Sequence, residues 1–314
     1  MINFMLPGMY EHVELNLRFI QLLKTNPEFF YDNVKIGAAY GNFQFCIFDG
    51  GRIFSNYRHT CTEEMENIVK AYNDLDVPVR LVFTNPMLQE KHFKNRFGQA
   101  ILKVCHNEMN EIVVNNSEFE KYLRENYPKF TFISSTTKCL NTPDKFQEEF
   151  DKKDYKMICL DYNLNKNQKM LNAIKPEERD KCEFLVNAIC PPGCPNRKEH
   201  YRLNGLYSLS YGKNYATAGC PITFNTLHPN SFNSVNNLTP DEIYNKYAPQ
   251  GFINFKLEGR TLGILENLLN YVRYMVKPEY QMFVIDLIIG EDASLKLFNN
   301  TTIAIPTSLN TSIL

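Results

Sequence analysis

The 314-residue sequence lacks both an excess of one charge and any long hydrophobic run. Its formal net charge is −1, so we expect no broad basic surface for nucleic acid. No stretch approaches the roughly 20 apolar residues of a membrane span. The first residues also lack the basic and apolar segments of a signal peptide. These absences predict a cytoplasmic protein that does not associate with a membrane.

Several catalytic templates are missing as well. There is no HExxH motif, no P-loop and no Ser-His-Asp spacing, so ordinary hydrolases and nucleotidases have no support in the sequence. A GxGxxG turn is also absent, which argues against a dinucleotide-binding doubly wound sheet. The nine cysteines are odd in number and irregularly spread, which indicates a reducing compartment rather than a disulfide framework.

The sequence does contain a repeated alternation of apolar strand-like runs and helical patterns. A hydrophobic content of 44% is that of a globular chain with a sizeable core. The runs lie at 33–41, 79–85, 111–116, 130–136, 157–163, 183–187, 220–224 and 251–259, the seventh being poorly marked. Eight such units predict a (β/α)₈ barrel, with a doubly wound sheet as the alternative. We therefore predict a helical segment at 1–32, the barrel at 33–276 and an extension at 277–314.

Polar side chains stand where most of these runs end. In a barrel the carboxyl ends of the strands converge on one mouth, so we expect these side chains to line a pocket there, although strand ends also favour capping residues. The predicted substrate-binding residues are Tyr40, Asn85, Asn115, Ser135, Asn187, Arg197 and Arg260. The predicted catalytic residues are Asp161, His200, Lys256 and Glu258. Lys256 would hold a substrate carboxylate or phosphate and Glu258 would carry a proton, unless the two form a structural ion pair.

Three cysteines fall at the same predicted mouth. Cys190 and Cys194 follow the sixth run with only Pro-Pro-Gly between them, and Cys220 lies near the seventh. Three thiolates suit a [4Fe–4S] cluster or a zinc ion, although incidental thiols in a rigid loop remain an alternative. Cys182 precedes the sixth run, which places it about 20 Å from Cys190 at the opposite end of the strand. His200, Cys46, a substrate or water is left as the fourth ligand.

The order of motifs resembles that of the collagenase-like U32 peptidase superfamily. The segments are "EIVVNN", "YPKFTFISSTTKCLN", "MICLDYN", "CEFLVNAICPPGC" and "GFINFKLEGR", of which the last is the most specific. Cys190 matches the cysteine after strand six, and Cys194 and Cys220 match later cluster cysteines. Lys256, Glu258 and Arg260 match the family's signature. The family usually shows four cluster cysteines, whereas this chain has three that are well placed.

The resemblance implies a (β/α)₈-like barrel that binds a [4Fe–4S] cluster. It also implies oxygen-independent hydroxylation, since several relatives act on ubiquinone precursors or RNA bases. We therefore expect an iron–sulfur enzyme that modifies a small molecule or RNA. The alternatives are a metal-stabilised binding or assembly subunit and a hydrolase or peptidase. A homo- or hetero-oligomer with a related subunit is left open.

Overall fold

A computed structural model describes residues 1–53, 60–152, 154–213 and 234–290. Eight parallel strands pair in chain order and close into a barrel, because the first strand also pairs with the last. This confirms the predicted (β/α)₈ fold. The strands are β1 (Ile2–Pro7), β2 (Val34–Gly41), β3 (Val79–Phe83), β4 (Glu111–Val114), β5 (Thr131–Ser134), β6 (Met157–Cys159), β7 (Cys182–Leu185) and β8 (Asn254–Lys256).

Helices connect the strands and surround the barrel. They are α1 (Val13–Thr25), α2 (Thr62–Asp74), α3 (Glu90–Phe93), α4 (Arg96–Cys105), α5 (Ser117–Asn126), α6 (Pro143–Asp151), α7 (Gln168–Ala173), α8 (Arg197–Leu209), α9 (Pro240–Glu242), α10 (Ile264–Met275) and α11 (Gln281–Gly290). Helices α4, α5, α7 and α9 begin at a side chain that accepts a hydrogen bond from the backbone of the first turn. For example, the Asn116 side chain accepts a hydrogen bond from the backbone N of Phe119 at 2.9 Å and caps α5.

The first barrel strand lies where the sequence predicted a helical segment. β1 occupies Ile2–Pro7, so the barrel begins at residue 2 rather than at 33, and the run predicted as strand one is β2. The prediction missed β1 because its pairing partner in β8 lies about 250 residues away along the chain. The predicted strand at 220–224 lies outside the described residues. Within the described ones, β7 pairs directly with β8 and completes the barrel.

Two separate hydrophobic layers fill the fold. A small cluster lies inside the barrel and is formed by Met5, Ala38, Tyr40, Val82, Val113, Ile133, Met157 and Cys159. A much larger layer lies between the strands and the surrounding helices. Since side chains alternate across a strand, polar residues in register with the inner cluster also point inward, among them Arg80 and Glu183. The barrel interior is therefore partly apolar and partly ionic.

Helix α11 extends the fold beyond the barrel and contributes Val284 and Ile288 to the outer layer. The sequence left the apolar segment there open between an added strand and a partner contact, and the structure makes it a helix packed against α10 and α1. Among the described residues, no helix combines the length and the apolar character that crossing a bilayer requires.

Candidate active site

A cavity opens at the carboxyl end of the barrel. It encloses about 610 Å³, including solvent at its mouth. Because parallel strands all end on this side, the cavity collects side chains from many segments of the sequence. Its wall is formed by Tyr40, Gly51, Arg52, Val82, Thr84, Val113, Ser135, Thr136, Thr137, Tyr162, Leu185, Cys190, Tyr201, Lys256, Glu258 and Arg260.

Three cations and one carboxylate face this cavity. Arg52 forms an ion pair with Glu258, and Arg260 donates to Asp49 Oδ2 at 2.6 Å. Burial opposes the charge of Arg260, but Asp49, Tyr40 and Glu11 together outweigh it and raise the pKa of Arg260. The backbone N of Ile189 donates to Glu258 Oε2 at 2.8 Å, which fixes the carboxylate at the cavity wall. Among the described residues, the wall thus brings together three cations and one carboxylate, and Arg260 is paired with a further carboxylate, that of Asp49.

Lys256 is the most enclosed of the three cations. Its Nζ lies 4.1 Å from the centroid of the Tyr40 ring and 3.8 Å from Glu183 Oε1. Burial lowers the pKa of Lys256, and the Glu183 carboxylate acts in the opposite direction. Lys256 and Glu258 both line the cavity, but each has an ion-pair partner of its own. They do not form the pair with each other that the sequence allowed as an alternative.

Two hydroxyl groups in the wall are buried and unsatisfied. Thr84 Oγ1 and Tyr162 Oη have no hydrogen-bond partner among the residues that the structure describes. Both residues are about 1% exposed. A buried hydroxyl without a partner is unfavourable, and both side chains belong to residues of the cavity wall. Ser135 Oγ and Thr137 Oγ1 lie on the same wall and hydrogen-bond each other at 2.8 Å.

Arg197 and Asp161 form a buried ion pair beside the cavity. Arg197 Nη1 donates to Asp161 Oδ2 at 2.8 Å, and its guanidinium lies 4.1 Å from the centroid of the Tyr162 ring. Arg197 also bonds the backbone and hydroxyl oxygens of Thr136 at 3.1 and 3.0 Å. Neither Arg197 nor Asp161 lines the cavity. These contacts join the start of α8 to the segments that follow β5 and β6. They thereby position Thr136 and Tyr162, which line the cavity.

The three predicted asparagines hydrogen-bond to nearby protein groups and do not line the cavity. Asn85 donates to the backbone oxygens of Ile47 and Gly205 at 2.7 and 3.0 Å. Asn115 donates to Thr137 Oγ1 at 2.8 Å. Asn187 exchanges two hydrogen bonds with the backbone of Glu258, and thereby holds that residue in place.

The cysteine loop borders the cavity through Cys190. Cys194 is partly exposed, and Gly193 between the two cysteines has a φ of +66°, a conformation that favours glycine. Cys220 lies outside the described residues. Cys182 is fully buried at the start of β7, at the opposite end of that strand from Cys190.

The two proposed protein candidates for a fourth ligand do not line the cavity. Cys46 is buried in the outer hydrophobic layer. His200 lies in α8, and burial, followed by the nearby Arg52, lowers its pKa. No group of three or more His, Cys, Asp or Glu side chains suited to a metal occurs within the described part of the chain. The donor type still fits an iron–sulfur cluster, because Cys190 and Cys194 are free thiols in one tight loop at the cavity.

A smaller cavity of about 320 Å³ adjoins the first and shares Arg52 and Arg260 with it. Its wall includes Glu11 and Asp49. Burial raises the pKa of Glu11 to about 7, although Arg260 acts against this shift. Gln44 donates to Glu11 Oε1 at 3.0 Å. The two arginines are thus bordered by carboxyl groups on the side away from the main cavity.

Sequence reasoning missed Arg52 and Thr84 in the main wall. Arg52 follows the glycine pair of "FDGGR", after the end of β2, and Thr84 directly follows β3. Thr84 stands at a strand end, like the residues that the sequence analysis selected, whereas Arg52 lies in the loop that follows β2. The glycine pair before Arg52 was the available signal, because such a pair marks a tight turn that returns the chain to the mouth.

The site thus belongs to a (β/α)₈ protein with a cationic cavity at the carboxyl end of its strands. No family model and no curated protein matches the chain. Among solved structures, the chain is similar to the U32 peptidase Mk0906, with 16% sequence identity and a TM-score of 0.49. The similarity covers 82% of this chain and 92% of that chain.

Proposed function

We propose that this chain is an enzyme that binds an anionic substrate in the cavity at the carboxyl end of the barrel. The observation that carries the proposal is the convergence of Arg52, Lys256 and Arg260 on one small cavity. Guanidinium groups match the geometry of carboxylates and phosphates, and a lysine adds a point charge. The substrate is an anionic small molecule or a single phosphate-bearing nucleotide of an RNA.

The hydroxyl groups of the wall support the same assignment. Thr84 and Tyr162 line the same cavity as the cations, and their hydroxyl oxygens lack hydrogen-bond partners within the described residues. A substrate that carries oxygen atoms would satisfy both groups. Such directional bonds orient a ligand that the cations alone would only attract.

Glu258 is the proposed proton carrier. Its Oε2 is held by the backbone N of Ile189, while its Oε1 faces Arg52. When Arg52 turns to a substrate anion, Glu258 Oε1 becomes free to exchange a proton with the bound molecule. Asn187 keeps the backbone of Glu258 in position during that exchange.

We further propose that Cys190, Cys194 and Cys220 hold a [4Fe–4S] cluster next to this substrate. The support is that Cys190 lines the same cavity as Lys256 and Glu258. Such a cluster supplies one-electron redox chemistry, which suits a redox or oxygen-independent hydroxylation reaction. The fourth ligand in this proposal is His200, Cys46, a substrate or water.

Anaerobic purification with metal analysis and EPR tests the cofactor. We expect about four irons per chain and a broad absorption of the brown protein, as for [4Fe–4S] clusters. Cys190→Ala should abolish the cluster, whereas Cys182→Ala is the matched control and should keep it. One zinc per chain would contradict the cluster and favour a metal-stabilised binding subunit. Hydrolysis of a peptide by metal-free Cys190→Ala would instead favour the peptidase alternative.

Anion binding is tested separately by isothermal titration calorimetry with inorganic phosphate and with a nucleoside monophosphate. Arg52→Met and Arg260→Met should each weaken binding at least about tenfold, the loss typical of one charged hydrogen bond. Arg96→Met is the control, because Arg96 is exposed at the start of α4 and does not line the cavity. Equal affinity in all three variants would refute the anion site.

A further inference from the structure

The barrel interior contains an ion network that ends at the candidate site. Arg80 pairs with Glu111 and Glu183, and Lys156 pairs with Glu111 from outside. At the other end, Glu183 lies next to Lys256 in the cavity wall. We propose that Glu183 is a positioning residue that holds the Lys256 ammonium group charged and directed at the substrate cavity.

The contacts of Glu183 support this role. Glu183 is 1% exposed, and its two oxygens have different partners. Oε2 pairs with Arg80, whereas Oε1 accepts a hydrogen bond from Cys159 Sγ at 2.7 Å and lies 3.8 Å from Lys256 Nζ. The Cys159 and Arg80 contacts fix the carboxylate, so it meets Lys256 in one orientation only. The position of the Lys256 ammonium group is therefore set by the fixed Glu183 carboxylate.

The charges around Lys256 make Glu183 the main source of its stabilisation. Burial disfavours the ammonium form, and the nearby Arg80 and Arg260 also lower the pKa of Lys256. Glu183 is the largest opposing influence, with the Cys159 thiol second. The Tyr40 ring adds a cation–π contact. Without the negative charge of Glu183, desolvation and two arginines would favour the neutral amine.

A neutral Lys256 would no longer attract an anion. This consequence rests on the proposed function, because it assumes that Lys256 binds the substrate. The protonation of Lys256 itself does not depend on any substrate, so it can be measured on the protein alone. A failure to bind anions and a failure of the Glu183 role are therefore distinguishable.

The test is the pH dependence of acetylation of Lys256 by acetic anhydride, followed by mass spectrometry. In Glu183→Gln, the inflection of the rate should move to lower pH and the neutral fraction of Lys256 at pH 7 should rise about tenfold or more. Cys159→Ala removes a hydrogen bond but no carboxylate, so it should shift the inflection much less. The exposed Lys70 serves as the internal standard in every sample.

Glu183→Asp retains the charge at a greater distance, and its inflection should lie between those of the wild type and Glu183→Gln. If Glu183→Gln does not fold, this variant decides the question through a smaller shift in the same direction. An inflection of Lys256 that is equal in the wild type and in the folded variants would overturn the proposal. A shift in Cys159→Ala as large as that in Glu183→Gln would overturn it as well.

Discussion

Replacing Arg80 with methionine should destabilise the protein strongly, because Arg80 is fully buried and pairs with two buried carboxylates. Arg80 and its partners Glu111 and Glu183 are 0–1% exposed. Arg80 Nε donates to Glu111 Oε2 at 2.6 Å, and the guanidinium also pairs with Glu183. Arg80→Met leaves the buried Glu111 carboxylate paired with Lys156, and the buried Glu183 carboxylate with Lys256 and the Cys159 thiol. Breaking a buried ion pair by removing one partner costs about 3–5 kcal/mol.

The loss should be visible in the free energy of unfolding from urea titration. For a chain of this size it corresponds to a fall in melting temperature of roughly 5–8 °C. The control is Lys70→Met, which removes the exposed pair between Lys70 and Asp74 and should cost about 0.5 kcal/mol or less.

A double variant separates the charge effect from lost packing. Arg80→Met combined with Glu183→Gln should be less destabilised than the sum of the two single changes, because the second change removes one of the stranded carboxylates. If the free energies of unfolding of Arg80→Met and Lys70→Met differ by less than about 1 kcal/mol, the buried network contributes no more to stability than a surface pair. That result would refute the reasoning.

Three further changes test the packing and the buried titratable groups. Gly98→Ala places a Cβ 2.2 Å from the Phe48 ring and should lower the free energy of unfolding by about 1–3 kcal/mol in urea. A Cβ at Gly290 would meet no atom of the described residues within 4 Å, so Gly290→Ala should be near neutral. Burial lowers the pKa of His12 to about 4, so the unfolded chain takes up a proton first as the pH falls from 6.5 to 4. Stability should decline in that window, and an acid titration of His12→Gln should show a smaller decline. Burial raises the pKa of Glu11 to about 7, so its contribution is lost as the pH rises from 4.5 through 7. Glu11→Gln should therefore gain stability relative to the wild type above pH 7 but not near pH 4, and an equal gain at both would contradict the assignment.

The alternation of apolar runs and helices was sufficient to predict the barrel, but not to locate its first strand. Runs such as 79–85 and 111–116 are continuous and β-branched, and they became β3 and β4. β1 contains Asn3, which is satisfied by a hydrogen bond to Asn254 at 2.8 Å. That partner is remote in the sequence, so local periodicity could not show that a polar residue belongs inside a strand.

The strand-end rule brought part of the predicted site together. Tyr40, Ser135, Cys190, Lys256, Glu258 and Arg260 all line the cavity. Asn85, Asn115 and Asn187 obey the same rule but hydrogen-bond to nearby protein groups instead. An amide that caps a loop and an amide that binds a ligand have the same donors and acceptors, so residue type alone could not separate them.

The pairing of β1 with β8 constrains how the protein is made. Asn3 and Asn254 are barrel neighbours, so β1 has no partner on one side until almost the whole barrel has been synthesised. During that time the nascent chain presents an open strand edge, which invites pairing with other chains. Barrel closure is thus a late, long-range step, and chains that are truncated before β8 should be far more prone to aggregate than the finished protein.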